Sequence, residues 1–466
     1  MPTNLSKLAQ GLGTRAVREV VSSAVDTFAP LPVDRGVVDG RNFFVRPVAL
    51  SDEGPFDFVI PADSEQQYVN LEQMRIIGEI SVEPVGTVAA DALTDENKTV
   101  SLINGFDQAM WRSIEVETNG RLQTALSGAH YAYKAYLETV LSYGREAFET
   151  HLAPTFHPPQ PVPSAAKDNI ESYDNTFADP SFGRRVAEKR HIHFSSPLHA
   201  DFLLVDRYIP SGVNLRFRFH RNSDDFLIFQ KNITEGDNAR TPKYAIRVHK
   251  LMLMVRKIDI APNILAEHRK LFARDVMKFP FSRTIIKTFN IEQTARTFNL
   301  QGMYRGVLPQ QLVHCLVGTR AFNGDSVTNP FYFHHYSMDY YQLYHNGKPV
   351  PSLPYQPSFA DGSDNLDVLY RDLLDHVGIK NDNAGCIATP QRFRNGSFIL
   401  VHDLTPDHCA TYHPHLSSEG DISLSMSFAA GGLTEGVTLI SMAVYNSAYF
   451  IKANREVLLD SEMSLS

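Results

Sequence analysis

The chain has 466 residues, 44 of them Lys or Arg against 52 Asp or Glu, for a formal net charge of -8. That balance argues against a protein whose bulk task is neutralising phosphates, and a hydrophobic content of 43% with 21% charged residues excludes disorder over most of the length. Length allows roughly two or three domains with full cores, while Cys315, Cys386 and Cys409 are too few and too far apart for a disulfide framework or a Cys-x-x-Cys motif.

Residues 5 to 28 place Leu5, Leu8, Leu12, Val17, Val20, Val21, Ala24, Val25 and Phe28 at spacings of mostly three and four, which predicts an amphipathic helix. Pro30 and Pro32 stop it. With Lys7, Arg15 and Arg18 beside the stripe, such a helix suits a membrane surface, or it packs on its own or a neighbouring subunit. The same charges break up the apolar core a secretory leader needs, so export through a signal peptide is not expected. No window approaches about 18 uninterrupted apolar residues, so a membrane-spanning helix is not expected either.

From about residue 40 the dominant period becomes two. Strands are expected at Phe56 to Ile60, Val69 to Leu71 and Tyr244 to Ile260, and over the alternation of Val213, Leu215, Phe217 and Phe219 with Asn214, Arg216, Arg218 and His220. Further along they are expected at Arg283 to Ile291, Phe398 to Asp403 and Val437 to Ile451, and where Ile422, Leu424, Met426 and Phe428 alternate with serines. Helices are few: Tyr131 to Tyr143, Pro262 to Phe272 and Leu366 to Val377. The chain reads as mainly β with short connecting helices.

The order of elements repeats. Asn104-Gly-Phe106 precedes the turn pair Asn119-Gly120, as Asn329-Pro-Phe331 precedes Asn346-Gly347; both Asn-Gly pairs are strong hairpin signals. A helix then follows whose glycine, Gly144 or Gly378, is placed to cap it. Gly212 and Gly420 each open an alternating strand, and each half ends in a long apolar one. The expected division is an arm over 1–35, a first β domain over 36–261 and a second over 262–466. The first copy carries an insertion around 150–165, where Pro154, Pro158, Pro159, Pro161 and Pro163 forbid a regular ladder.

Candidate chemistry is thin. His199-Ala-Asp201 could share a strand face and form a facial metal triad with His249, but Arg256 would fall on the wrong face to hold an oxo-acid, and a turn role suits His199 and Asp201 better. His191-x-His193 and His334-His335 lack a carboxylate or thiol at ligand spacing. Asp407-His408 and His413-Pro-His415 have no Gly-x-Ser-x-Gly elbow to supply a nucleophile, and no phosphate-cradling glycine loop occurs. Arg216-Phe-Arg-Phe-His-Arg221 interleaves bases and rings like a nucleic-acid platform, yet alternation sends Phe217 and Phe219 inward and leaves the arginines as a solvated or intersubunit row. No catalytic, cofactor-binding or metal residue is assigned.

Several stretches, in order, resemble a known family. They are Phe28-Ala-Pro-Leu-Pro-Val-Asp-Arg-Gly36, Phe56-Asp-Phe-Val-Ile-Pro61, Tyr68-Val-Asn-Leu71, Tyr133-Lys-Ala-Tyr-Leu-Glu-Thr-Val-Leu-Ser-Tyr-Gly144, Leu198-His-Ala-Asp201, Val255-Arg-Lys-Ile258, Asn329-Pro-Phe-Tyr-Phe-His334 and Val401-His-Asp-Leu-Thr-Pro-Asp407. Together they resemble the double jelly-roll major capsid protein of Polinton (Maverick) elements and adintoviruses. Leu102 to Leu122, the proline-rich insertion and the helix before residue 28 depart from the pattern.

The resemblance implies an all-β fold of two tandem eight-stranded jelly rolls with short connecting helices and an N-terminal amphipathic helix. It implies a homotrimer presenting a near-hexagonal tile for an icosahedral shell, further contacts between capsomers, and a minor or penton capsid protein as partner. No cofactor, catalysis or sequence-specific nucleic acid is expected, and the location is the virion, after synthesis in the host cytoplasm. Leu5, Leu8, Leu12, Val17 and Val20 are the expected inner-surface or membrane contact. Read without the resemblance, the residues leave open a metal-dependent or glycan-processing enzyme on a double sandwich, or a glycan-binding lectin.

Overall fold

A computed structural model describes residues 36–62, 66–85, 100–123, 128–152, 191–230, 244–359, 365–379, 385–410 and 415–460. The helix expected over residues 5 to 28 and most of the proline-rich stretch lie outside them.

Strand formation follows the alternation. The first half supplies β1 Val37–Val45, β2 Phe56–Ile60, β3 Gln67–Pro84, β4 Trp111–Thr118, β5 Arg121–Leu122, β6 Ile192–Pro197, β7 Leu215–Arg221 and β8 Tyr244–Ile260. The second supplies β9 Met277–Ile291, β10 Thr297–Val307, β11 Gln311–Gly318, β12 Met338–His345, β13 Lys348–Tyr355, β14 Ile399–Asp403, β15 Glu419–Phe428 and β16 Val437–Ile451. Short strands at Gly128–Ala129 and Val457–Leu459 extend two of the sheets.

The sheets run β1-β8-β3-β6 and β2-β7-β4-β5, then β9-β16-β11-β14 and β10-β15-β12-β13. In each half, therefore, first pairs with eighth, second with seventh, third with sixth or eighth, and fourth with fifth or seventh, all antiparallel. That order is what results when one antiparallel ribbon is rolled into two facing sheets, the jelly-roll arrangement. Both halves have it.

Local geometry repeats with the topology. Asn119 and Gly120 have φ 48 and 80, Asn346 and Gly347 φ 50 and 73, so both hairpins use two successive left-handed residues. In each, the asparagine Oδ1 accepts from the backbone N–H of the neighbouring strand's entry, Asn214 at 2.8 Å and Asp421 at 2.8 Å. Gly378 caps its helix at φ 94, as expected. Gly144 does not. It is extended, at φ -82, because Tyr143 has already left the helix and Gly144 begins the short helix Arg145–Glu149.

Three helices bear on how the rolls are joined: α1 Tyr131–Ser142, α2 Pro262–Phe272 and α3 Asp367–Val377. α1 and α3 occupy equivalent places, between the fifth and sixth strands of their rolls. α2 joins the rolls, with Pro262 in the first turn, where a missing N–H costs nothing. One apolar core, running from Phe56 to Leu459, passes through both halves.

Candidate functional site

The place where the fold concentrates unusual chemistry is the junction of the rolls, and α1 is its centre. Helices that are apolar on every side must be covered on every side. α1 buries Tyr131, Ala132, Tyr133, Ala135, Leu137 and Val140, with its own roll on one side and the second roll on the other. Tyr136 stacks on Phe331 at 4.3 Å with rings 6° apart, and Tyr133 meets Phe322 at 5.4 Å and Phe331 at 5.5 Å. Phe333 and Phe226 close the cluster. Aromatic pairs of this kind add about 0.5–1.5 kcal/mol each beyond the area they bury.

A buried ionic group lies beside the rings. Lys134 Nζ pairs with Glu138 at 2.6 Å and Asp201 at 3.1 Å, and also donates to the His199 carbonyl. His199 Nδ1 contacts Glu138 at 2.9 Å, while Tyr131 Oη accepts from the His199 N–H and donates to Gln108 Oε1. Asp201 Oδ2 accepts from the backbone N–H of Thr284 in β9 at 2.7 Å, which ties the group to the second roll. Burial by itself would push the Lys134 ammonium down, but Asp201 and Glu138 outweigh it and hold it above its ordinary value. Glu138 is held low by Lys134 against burial, whereas burial, with Glu138 nearby, raises Asp201.

Other links cross the same seam. Asn119 Nδ2 donates to the Arg455 carbonyl at 2.9 Å, Arg121 pairs with Glu456 at 3.2 Å, and Phe202 packs on Tyr449. The motifs Tyr133 to Gly144, Leu198 to Asp201 and Asn329 to His334 thus meet in one place. Through them the two rolls are in contact across one buried seam.

No family model matches the chain. An uncharacterized Caenorhabditis elegans protein, F54H12.2, is 21% identical over 421 residues, 89% of this chain and 95% of the relative. Among solved structures, a chain of the Sputnik virophage superposes with a TM-score of 0.60 at 12% identity, covering 95% of this chain and 93% of that one. The mavirus major capsid protein gives 0.51 at 10% identity over 98% and 96%, and the Faustovirus major capsid protein 0.52 at 10% over 90% and 92%. The fold is the viral double jelly roll.

Within the double jelly roll, the remaining candidates among the described residues have structural partners. The triad of His199, Asp201 and His249 is not assembled: the first two are engaged with Lys134 and Glu138, while His249 bonds Ser81 Oγ at 2.8 Å and stacks on His191. His191 in turn contacts Glu79 at 2.5 Å. His334 and His335 accept the backbone N–H groups of Tyr336 and Ser337, pinning two left-handed residues. Asp407 pairs with His415 at 2.7 Å, and His413 lies outside the described residues. In β7, Phe217 and Phe219 enter the core, while Arg216 and Arg218 pair with Asp57 at 2.9 and 2.8 Å and lie near Glu117 and Glu115. That acidic row neutralises the basic stripe from both sides.

Sequence reasoning missed one polar group, in the core of the second roll. His314 Nδ1 and His402 Nε2 both reach Tyr341 Oη, at 2.6 and 2.9 Å. Burial pushes His314 down to about 3, and burial with His314 and His376 nearby holds His402 well below its ordinary value. The unfolded chain, with histidines near about 6.5, binds the extra protons. Stability from these two groups is therefore complete above about pH 6.5 and falls below it, by up to about 1.4 kcal/mol per pH unit for each. Urea midpoints compared between the wild type and a His314→Asn/His402→Asn variant are expected to converge as pH drops from about 7 to about 5. A constant difference would contradict the assignment.

Proposed function

We propose that this chain is a structural protein, a major capsid protein of the Polinton (Maverick)/adintovirus type, whose homotrimers form pseudo-hexagonal capsomers of an icosahedral shell. The observation that carries the reading is the junction: two rolls of the same strand order, β1 to β8 and β9 to β16, share one apolar core and meet on α1, which supports a division into domains over 36–261 and 262–466. Three such chains about a three-fold axis present six similar sandwiches, and cyclic symmetry closes the ring without open ends. The solved double jelly rolls of mavirus and Faustovirus, which carry the name major capsid protein, support it. The Polinton type is supported by the ordered motifs between Phe28 and Asp407, and a relative of matching length in an animal is in keeping with it.

In this reading the chain is not an enzyme, its principal partner is itself, and a minor or penton capsid protein is a second partner. Its location is the virion, after synthesis in the host cytoplasm. Leu5, Leu8, Leu12, Val17 and Val20 supply an inner-surface contact with that partner or with a membrane. Native mass spectrometry is expected to show three copies of the 52.3 kDa chain; a persistent monomer at high concentration would contradict the reading. Deleting residues 1–28 is expected to leave the trimer intact and impair shell assembly, and loss of the trimer itself would rule out an inward role for the segment.

A further inference from the structure

Where β8 passes into α2 and α2 into β9, the rolls leave an apolar groove of about 600 Å³. Val37, Tyr208, Ile264, Leu271, Phe272 and Met277 are among its walls. Leu271 is 61% exposed and Tyr208 38% at the rim, an unusual investment of large apolar side chains on a surface. Beneath lies a small cluster of Tyr68, Ile258, Ile260 and Leu265, separate from the main core.

The position of the groove suggests what fills it. Gly36 and Val37 line it, and the Gly36 carbonyl accepts from the Ala261 N–H at 2.9 Å, which fixes the chain's entry at the head of α2. Thirty-five residues precede that entry. In them Val21, Val25 and Phe28, spaced four and three, fall on one face of the expected helix. The segment from Ala29 to Gly36 spans at most about 29 Å when extended, so that face can reach the groove from within the same chain. A tether of this length gives an effective concentration on the order of millimolar, which favours the chain's own segment over one from another copy.

We infer that the groove seats the last two turns of this chain's own N-terminal helix, through Val21, Val25 and Phe28. This rests on the inner-surface reading of the N-terminal segment and deepens it. Anchored there, the helix carries Val17 and Val20 on along the same face beyond the groove and leaves Leu5, Leu8 and Leu12, on its other side, to project toward the partner surface, from a fixed base rather than a loose strap.

The test is a cysteine pair in the full-length chain. Ala24→Cys with Leu271→Cys, in a background where Cys386 and Cys409 are serine, is expected to form an intramolecular disulfide in most molecules on mild oxidation; Ala24 lies three after Val21 and four before Phe28, on the anchoring face, and its replacement keeps all three anchors. Ala24→Cys with Leu353→Cys, on a strand that does not line the groove, is expected not to link. Leu271 is exposed, so its replacement leaves the fold in place. In the Ala24→Cys/Leu271→Cys chain, adding Phe28→Asp is expected to lower linkage about tenfold, the cost of losing one buried aromatic anchor. Absence of the Ala24–Leu271 link, or linked dimers in place of linked monomers on a non-reducing gel, would overturn the inference. Native mass spectrometry of the same sample separates the two ideas: trimers without the link sink the anchor alone, whereas the link without trimers sinks the capsid reading alone.

Discussion

Truncating Phe331 to alanine is expected to destabilise the whole chain by about 3–5 kcal/mol, the usual cost of removing a buried ring from a packed site. Phe331 is 2% exposed and touches Tyr133, Tyr136 and Phe226, all from the other roll. Because one apolar core crosses the seam, the loss should not be confined to the second roll. Calorimetry is expected to show a single transition shifted to lower temperature. Two separated transitions, of which only one moves, would mean that the rolls fold independently and that the junction does not lock them together. Leu353→Ala, at a position 76% exposed, serves as the control and should change stability by no more than about 0.5 kcal/mol.

Lys134→Met is expected to be as damaging, about 3–5 kcal/mol, for a different reason. The methionine fills much of the space, but Glu138 and Asp201 are left facing each other without the cation that compensates them. The loss should shrink in acid, where the carboxylates protonate, and should be partly rescued by adding Asp201→Asn, which removes one orphaned charge. The Asp201→Asn change alone weakens the tie to Thr284 and is expected to destabilise more mildly. Denaturant midpoints of the four chains form a double-mutant cycle. A Lys134→Met chain as stable as the wild type at neutral pH would show that the ionic group contributes nothing to the junction.

Much of this architecture is legible in the sequence, for reasons specific to each element. β2, β8 and β16 alternate cleanly or run long and apolar, and their limits match the expected ones residue for residue. α2 announces itself through Pro262 and its spacing. The strands that escaped notice lack such signals. β1 exposes Val38 and Phe44 and buries little, so no face stands out. β11 is buried on both faces and therefore shows no period of two. β13 carries Pro349, Pro351 and Pro354, which demote a run in any sequence reading, yet it sits at a sheet edge, where proline is tolerated.

The junction was harder to foresee. Tyr133 and Phe331 are far apart in sequence, and only the pairing of the two rolls brings them together. One local signal existed: α1 is apolar or aromatic at nearly every position from Tyr131 to Leu137, and a helix of that kind has no face to give to water. Lys134, the exception in that run, is buried for the same reason and needs its carboxylates. The buried histidines of the second roll had no such signal. His314 sits inside an apolar strand and His402 inside a short one, and their shared partner, Tyr341, comes from a different sheet.

On the function proposed above, three double rolls of this chain form one hexagonal tile. Electron microscopy of the purified full-length protein tests it most directly. Three-fold particles with a pseudo-hexagonal outline, associating into arrays or closed shells, are the expected result; a field of isolated single chains at high concentration, with no three-fold class, would contradict it.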